Sequence, residues 1–516
     1  MLSLLKGNTR YTPITTIIIP PHRRNPSLHI HSSSTSNPNQ KNPQKQKLVL
    51  THIVNPIQNP KKRPPLPPRR TGSTKKIGNH GISVGNMKVL GLCGFGYWVQ
   101  GFRCFPWLAL NFYMAHGLRL DPSSLQLVQH SANLPMVAKP LYGVLSDALY
   151  FGGAHRIPYI SFGVFIQIMS WGTLALLPVS GGTIPIQMAC ILLSNLGTSF
   201  TEVASDALIA ELSKNQKAGL LQSYSLMALA AGGILGNFSG GFFLLKTQQP
   251  RLMFSLFCIL LSFQLLLSLT TKEDTLYKSR QGVGRRVVKT SVSESLKKQF
   301  SELVSTISKE SISHPLSWAV ASVAFVPLLS GAMFCYQTQC LKLDPLIIGL
   351  SKVIGQLMVL SATVLYNKFL NRIPLRKLIC GIQITYALSL LLDFILVKQL
   401  NLAFGISNEV YVLCLSSLAE AVAQFKILPF FVLLSKLCLP GCEGSLLAFF
   451  SSALCLSSII SGVLGIGLSY VIGVSSGDYS SLPAGILFQV VTALMPLGWI
   501  SHVPSSQASE EKKKVW

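Results

Sequence analysis

Five of the charged residues inside otherwise apolar stretches of this chain are read as able to do chemistry. Arg103 lies in YWVQGFRCFPWLAL, Glu202 and Asp206 in SFTEVASDALIAEL, and Glu420 and Lys426 in SLAEAVAQFKILPF. At the middle of a membrane helix each such charge costs about 2.5–3.5 kcal/mol, so an unsolvated charge there marks a site or a lock. Glu202 and Asp206 are four residues apart and share one face of a helix, so both address the same space. Two carboxylates so placed can share a proton or attract a cation, and Arg103 is the nearest candidate partner. The alternative is a structural ion pair tying the two segments together. Glu420 and Lys426, six apart, must point to different neighbours, and Lys426 lies near enough to a helix end to snorkel. No HExxH, no P-loop and no dinucleotide glycine fingerprint after a strand is present, so the chain does not read as an enzyme. Cys438 and Cys442 flank a Pro-Gly turn without His or Cys partners at metal-binding spacing, and neither a metal nor a cofactor is expected.

The elements that must position these charges are membrane helices. Of 516 residues 49% are hydrophobic and only 12% charged, and the mean hydropathy is +0.44. Soluble domains carry roughly 25% charged residues. From Val89 onward, apolar stretches recur at about 18–25 residues, the length that crosses a bilayer as helix. Twelve are read. They centre near Trp98, Leu134, Phe165, Leu193, Leu229 and Leu260, then near Val323, Leu357, Leu388, Leu418, Leu456 and Val491. The expected fold is all-α, twelve transmembrane helices in two six-helix bundles, 88–269 and 315–502. A polar bridge, 270–314, joins them, and a charged tail, 503–516, follows.

The net charge of +26 suggests nucleic acid until its distribution is considered. Residues 1–87 are basic, and the first acid in the chain is Asp121. This leader is rich in Ser, Thr, Asn and Pro, cannot bury a core, and reads as a transit peptide of plastid type. The rest of the excess lies in loops between apolar runs, which fits a membrane protein and no nucleic-acid partner. Of the 11 cysteines, Cys93, Cys190, Cys258, Cys414 and Cys455 sit singly in apolar runs as packing residues.

Loops after the second, fourth, sixth, eighth and tenth spans hold Arg156, Lys214, Lys217, the basic bridge, Lys368, Arg372, Arg376, Lys377 and Lys436. The positive-inside rule puts these loops and both termini on one face. Gly232, Gly236 and Gly240 give one span a small-residue face for close packing, with a weaker version at Gly462 and Gly465. LYGVLSDALYFGGAHRIPYI has a partial echo in LYNKFLNRIPLRKLI, each after the second span of its half. That echo supports a duplicated half.

The stretch KPLYGVLSDALYFGGAHRIPYI joins the second and third spans and carries Gly143, Asp147, His155 and Arg156. Its G-x-L-S-D turn resembles the signature loop of the major facilitator superfamily. The wider run, with KLCLPGCEGSLLAFFSS between the tenth and eleventh spans, resembles the folate-biopterin transporter family. The E-x-x-x-D-A pattern of the fourth span is similar to that family's as well. The resemblance implies a conformational latch at Gly143, Asp147, His155 and Arg156, and a second loop motif at Lys436, Gly441 and Glu443. The charges inside the spans, Arg103, Glu202, Asp206, Glu420 and Lys426, are the expected substrate or proton pathway. The function the resemblance implies is proton-coupled, alternating-access transport of a folate or pterin-like anion across a chloroplast envelope membrane. Membrane lipid and possible coupling protons are the other partners. A folate needs a cation and aromatic stacking surfaces, and Arg103 with Tyr97, Trp98 and Phe105 offers both. Alternatives are a transporter of another organic anion, or a membrane sensor or scaffold that has kept the fold and lost transport.

Overall fold

The computed structural model describes residues 84–148, 156–176, 184–213, 218–271, 297, 301, 304–437 and 443–503. Residues 1–83 of the leader, most of the bridge, residues 504–516 of the tail, Lys214, Lys217, His155 and Gly441 lie outside the described residues. The backbones of Asp147, Lys436 and Glu443 are helical, and their side chains lie outside the description.

Among the described residues, nine helices are long and apolar enough to cross a membrane. Three further passages are consistent with the twelve expected, and each is broken where the sequence places proline or glycine. The first runs Val84–Phe102, Cys104–Phe112 and a π-helical turn, Tyr113–Gly117. The second is Pro122–Ser131, Leu134–Val137 and Lys139–Ala148. The seventh is Glu310–Ala324, Ser330–Cys335 and a π-helical turn, Tyr336–Cys340. Pro106, Pro135, Pro140 and Pro327 lack the N–H that would close the helix ladder, so each break frees a carbonyl. In lipid such groups survive only where neighbouring helices satisfy them.

The neighbours do so with side chains. Asn195 of the fourth passage (Ile184–Ser213) donates to the Ala132 carbonyl at 2.5 Å, and Cys455 of the eleventh (Glu443–Ile472) to that of Asn133 at 3.5 Å. In the seventh passage the carbonyls of Val326, Pro327 and Leu328 accept from Ser461, Gln489 and Gln126.

Close approaches follow the small residues. The fifth passage (Ala218–Thr247) lies against the first with backbones in contact. A Cβ on Gly101 would stand 2.0 Å from the Leu229 oxygen, and one on Gly232 would stand 2.0 Å from that of Trp98. The Gly232, Gly236 and Gly240 face is therefore packing within one half. Across the halves the fifth passage meets the eighth (Pro345–Lys368) at Gly241 and Gly349, and the second meets the eleventh.

The two halves repeat one motif closely. Leu-Arg-Leu-Asp-Pro at 118–122 and Leu-Lys-Leu-Asp-Pro at 341–345 each follow a π-helical turn. Arg119 and Lys342 adopt the same left-handed backbone, φ 50° and 49°. Leu118 donates to the Tyr113 carbonyl and Leu341 to that of Tyr336, both at 3.0 Å. This repeat is a stronger sign of duplication than the LY…RIP echo.

Candidate functional site

The intramembrane charges gather where the helices break. Pro106 leaves a turn at Arg103, Pro140 directly follows Lys139, and Pro429 follows the turn at Lys426. Each cation thus sits beside backbone that is not fully tied into a helix ladder.

In the first half, Glu202 and Asp206 both face the first passage, as their four-residue spacing requires. Asp206 accepts a hydrogen bond from the Tyr97 hydroxyl, and Glu202 accepts one from the Gln100 amide. Glu202 also forms an ion pair with Lys139 of the second passage, both side chains being largely buried. Arg103 does not pair with either carboxylate. Its Nη2 donates to Asn195 Oδ1, while its buried Nε has no protein partner. The expected Arg103–carboxylate lock is therefore corrected: Lys139, released by the proline-broken second passage, takes that place. Asn195 meanwhile links Arg103 to the break at Ala132.

The aromatic expectation divides in two. Tyr97 lies on the face that carries Gln100 and meets the fourth passage. Phe95, Trp98, Phe102 and Phe105 stack on one another along the opposite face, with ring centroids 5.1–5.8 Å apart in successive pairs. That ladder meets Phe263 of the sixth passage (Pro250–Thr270) and Phe243 of the fifth. Trp98 and Phe105 are thus occupied in that ladder, since Trp98 stands one residue from Tyr97 and two from Gln100, spacings that turn it off their face of the helix.

In the second half, Glu420 forms an ion pair with Lys352 of the eighth passage. Asp393 of the ninth (Leu375–Val397) lies within Coulomb range of both. Lys426 does not snorkel. It is 5% exposed, its Nζ donates to the Ser322 carbonyl at 3.1 Å, and it lies 4.2 Å from the centre of the Tyr386 ring. That carbonyl ends the helical part of the seventh passage before its break, a position where a cation is stabilised. Cys104, next to Arg103 in the first passage, lies within Coulomb range of Arg103, Lys352 and Glu420.

Of the latch residues, Gly143 and Arg156 are described. Arg156 is buried and donates to Ser146 Oγ, which itself donates to the Gly143 carbonyl at 2.9 Å. The arginine after the loop thus closes back on the helix end before it. Lys139, Lys352 and Asp393 were not singled out as site residues, although each is a charge in an apolar run and meets the criterion that found Glu420. Gln100 and Asn195 carry no such signal. Among the described residues no group of three metal-ligating side chains gathers.

Residues 100–515 match the model of the BT1 family. The chain belongs to the BT1 family. Among the relatives of this BT1 chain in Arabidopsis thaliana, "Probable folate-biopterin transporter 8, chloroplastic" is 56% identical over 86% of the chain and 79% of that protein. "Probable folate-biopterin transporter 9, chloroplastic" is 57% identical over 82% and 78%. Among solved structures, a D-xylose-proton symporter superposes with a TM-score of 0.59 at 16% identity, covering 81% of this chain and 98% of that one. The nucleoside transporter NupG superposes with a TM-score of 0.57 at 15% identity, covering 80% and 98%. The fold is that of the major facilitator transporters. This BT1 chain is a multi-pass chloroplast membrane transporter of a small-molecule substrate and not an enzyme.

Proposed function

We propose that this protein moves a folate or pterin-like anion across the chloroplast envelope by alternating access, coupled to protons. The names of its relatives support the substrate class. The observation that carries the reading within the chain is Arg103: a half-buried guanidinium held by one amide, its buried Nε unpartnered, beside carboxylates that have partners of their own. Such a cation can accept the carboxylate of an incoming anion without breaking an existing ion pair. Asp206, held by a neutral tyrosine, is the carboxylate free to exchange a proton as substrate arrives.

The moving bodies in this reading are the two six-helix halves, 88–269 and 315–502, joined by the 270–314 bridge. Gly143, Asp147, His155 and Arg156 form the latch, and Lys436, Gly441 and Glu443 its counterpart. Lys426 positions the break in the seventh passage, and Glu420 belongs to the pathway through its pair with Lys352. Lipid surrounds the bundle, and residues 1–87 act as the plastid transit peptide.

Uptake of labelled folate and of labelled pterin by a folate-requiring cell expressing residues 88–516 tests the reading, with Arg103→Gln as control. Saturable uptake that Arg103→Gln abolishes is expected. Uptake of neither compound by a protein present in the membrane would overturn the substrate class.

A further inference from the structure

The contacts between the two halves converge on one side chain. Gln126, in the helix Pro122–Ser131 of the second passage, is 1% exposed and makes its bonds to the other half of the molecule. Its Nε2 donates to the Leu328 carbonyl at 2.6 Å and to the Gly462 carbonyl at 2.8 Å, and its Oε1 accepts from the Gly331 N–H at 3.2 Å. One amide therefore ties the seventh-passage break and the eleventh passage to the second.

The sequence makes room for it with glycines. A Cβ on Gly331 would stand 2.7 Å from Gln126 Cβ, and one on Gly465 would stand 2.5 Å from Gln126 Nε2. One helical turn on, His130 fills the space over Gly462, where a Cβ would meet its ring at 2.2 Å, and its Nε2 lies 3.2 Å from Ser330 Oγ. Gln129 Oε1 lies 3.4 Å from the same hydroxyl. Gln126 lies within two turns of the connection between the first and second passages, on the face that the positive-inside rule sets opposite the basic loops, and Phe112 also meets Phe334 edge-on across the halves.

We propose that Gln126 is a positioning residue for transport: it holds shut the face opposite the basic loops, and it must leave its pocket for the site to open there. This rests on the alternating-access reading and adds the residue that sets the balance between its states. The physical ground is the difference between the two states. When the halves part, water replaces the bonds of Gln126, so little is lost by its replacement. When they are closed, an apolar residue at 126 leaves the Leu328 and Gly462 carbonyls and the Gly331 N–H without that partner in a dry seam. An unmet buried polar group destabilises only the state in which it is buried. Gln126→Leu, close in shape and lacking the amide, should therefore shift the population toward the face opened opposite the basic loops.

The test uses Cys104, a partly buried thiol next to Arg103 in the first passage, as a native reporter. The full protein is placed in sealed vesicles of known orientation and treated with a membrane-impermeant maleimide from the face opposite the basic loops. Labelling of the Cys104 peptide is then read by mass spectrometry. The wild type should label slowly. Gln126→Leu should label about tenfold faster or more, the change expected from one or two unmet bonds. Gln126→Asn, which keeps the amide and loses its reach, should fall between them and carries the comparison if the leucine variant does not reach the membrane. Equal labelling of wild type and variant would overturn the proposal. A second arm separates this from failure of the transport reading. Cysteines at Gln129 and Ser330, joined by a short thiol cross-linker, should block uptake until released by reductant. Unchanged uptake in the cross-linked protein would show that this face does not open at all, which sinks alternating access and the role of Gln126 together. A block with unchanged Cys104 labelling in Gln126→Leu would sink the role of Gln126 alone.

Discussion

Lys139 of the second passage is ion-paired with Glu202 of the fourth, and Lys352 of the eighth is ion-paired with Glu420 of the tenth. Each half thus ties its second helix to its fourth by a Lys–Glu pair. The two pairs differ in exposure: the side chains are 18% and 17% exposed in the first, and 45% and 34% in the second. Glu202→Gln strands a largely buried ammonium, a change that costs about 3–5 kcal/mol for fully buried pairs. Glu420→Gln strands an ammonium that can still reach polar surroundings, and pairs of that exposure contribute about 0–1 kcal/mol. Thermal unfolding of the purified protein in detergent should show a large fall in Tm for Glu202→Gln and little for Glu420→Gln. Adding Lys139→Gln to Glu202→Gln should restore much of the loss, since no lone charge remains. Equal effects of the two single variants would mean that exposure does not set the worth of these pairs.

The glycine contacts make a sharper stability prediction. Gly101→Ala and Gly232→Ala each place a methyl group 2.0 Å from a carbonyl oxygen of the neighbouring helix. Neither helix can yield without moving the other, so each should cost about 1–3 kcal/mol or more. Gly467→Ala meets nothing within 4 Å and should be neutral to within about 0.5 kcal/mol. Accumulation in the membrane and Tm together decide it. A stable Gly101→Ala protein would show that the first and fifth passages are not in backbone contact.

The membrane fold was legible because the bilayer leaves the sequence few options. Long apolar runs, a few isolated charges and basic loops on alternate sides permit little besides a helical bundle. The four-residue spacing of Glu202 and Asp206 correctly placed both against one neighbour. What could not be read was which cation answered them. Arg103 is close in type and sequence, yet the partner is Lys139, because Pro135 and Pro140 break the second passage and turn that lysine inward. The first, second and seventh passages were legible as apolar runs, but their breaks at proline and glycine leave none of them as one helix long and apolar enough to cross alone. The aromatic neighbours of Arg103 in sequence fell on the wrong face for a simple reason: nearness along a helix is not nearness around it. Lys352 and Asp393 were legible by the rule already applied to Glu420, and the Leu-x-Leu-Asp-Pro repeat by direct comparison of the two halves.

Lys426 gives a prediction that separates positioning from binding. Its ammonium is committed to the Ser322 carbonyl and the Tyr386 ring. Lys426→Met keeps the length and removes the buried charge, so substrate affinity should remain within a few-fold of the wild type while Tm changes. A loss of affinity of about a hundredfold without a change in Tm would put Lys426 in contact with substrate instead.

Asp206 is the residue on which proton coupling turns. It lies one turn beyond Glu202 on the same face of the fourth passage, and the two have different partners. Glu202 is bonded to a cation and an amide, and its negative charge is matched in place. Asp206 is bonded to a neutral hydroxyl and has no ion pair of its own, the nearby Lys139 ammonium being committed to Glu202, so a proton or a passing substrate must affect it more. Asp206→Asn keeps the shape of the site and removes the titrating group. The variant should reach the membrane, bind substrate, and lose most of the dependence of uptake on the proton gradient, whereas Tyr97→Phe should alter that dependence and leave it present. Uptake by membrane vesicles with and without an imposed pH difference reads both outcomes. An Asp206→Asn protein whose uptake still rises with the gradient as the wild type's does would remove Asp206 from the proton path and leave the carboxylate a structural acceptor for Tyr97.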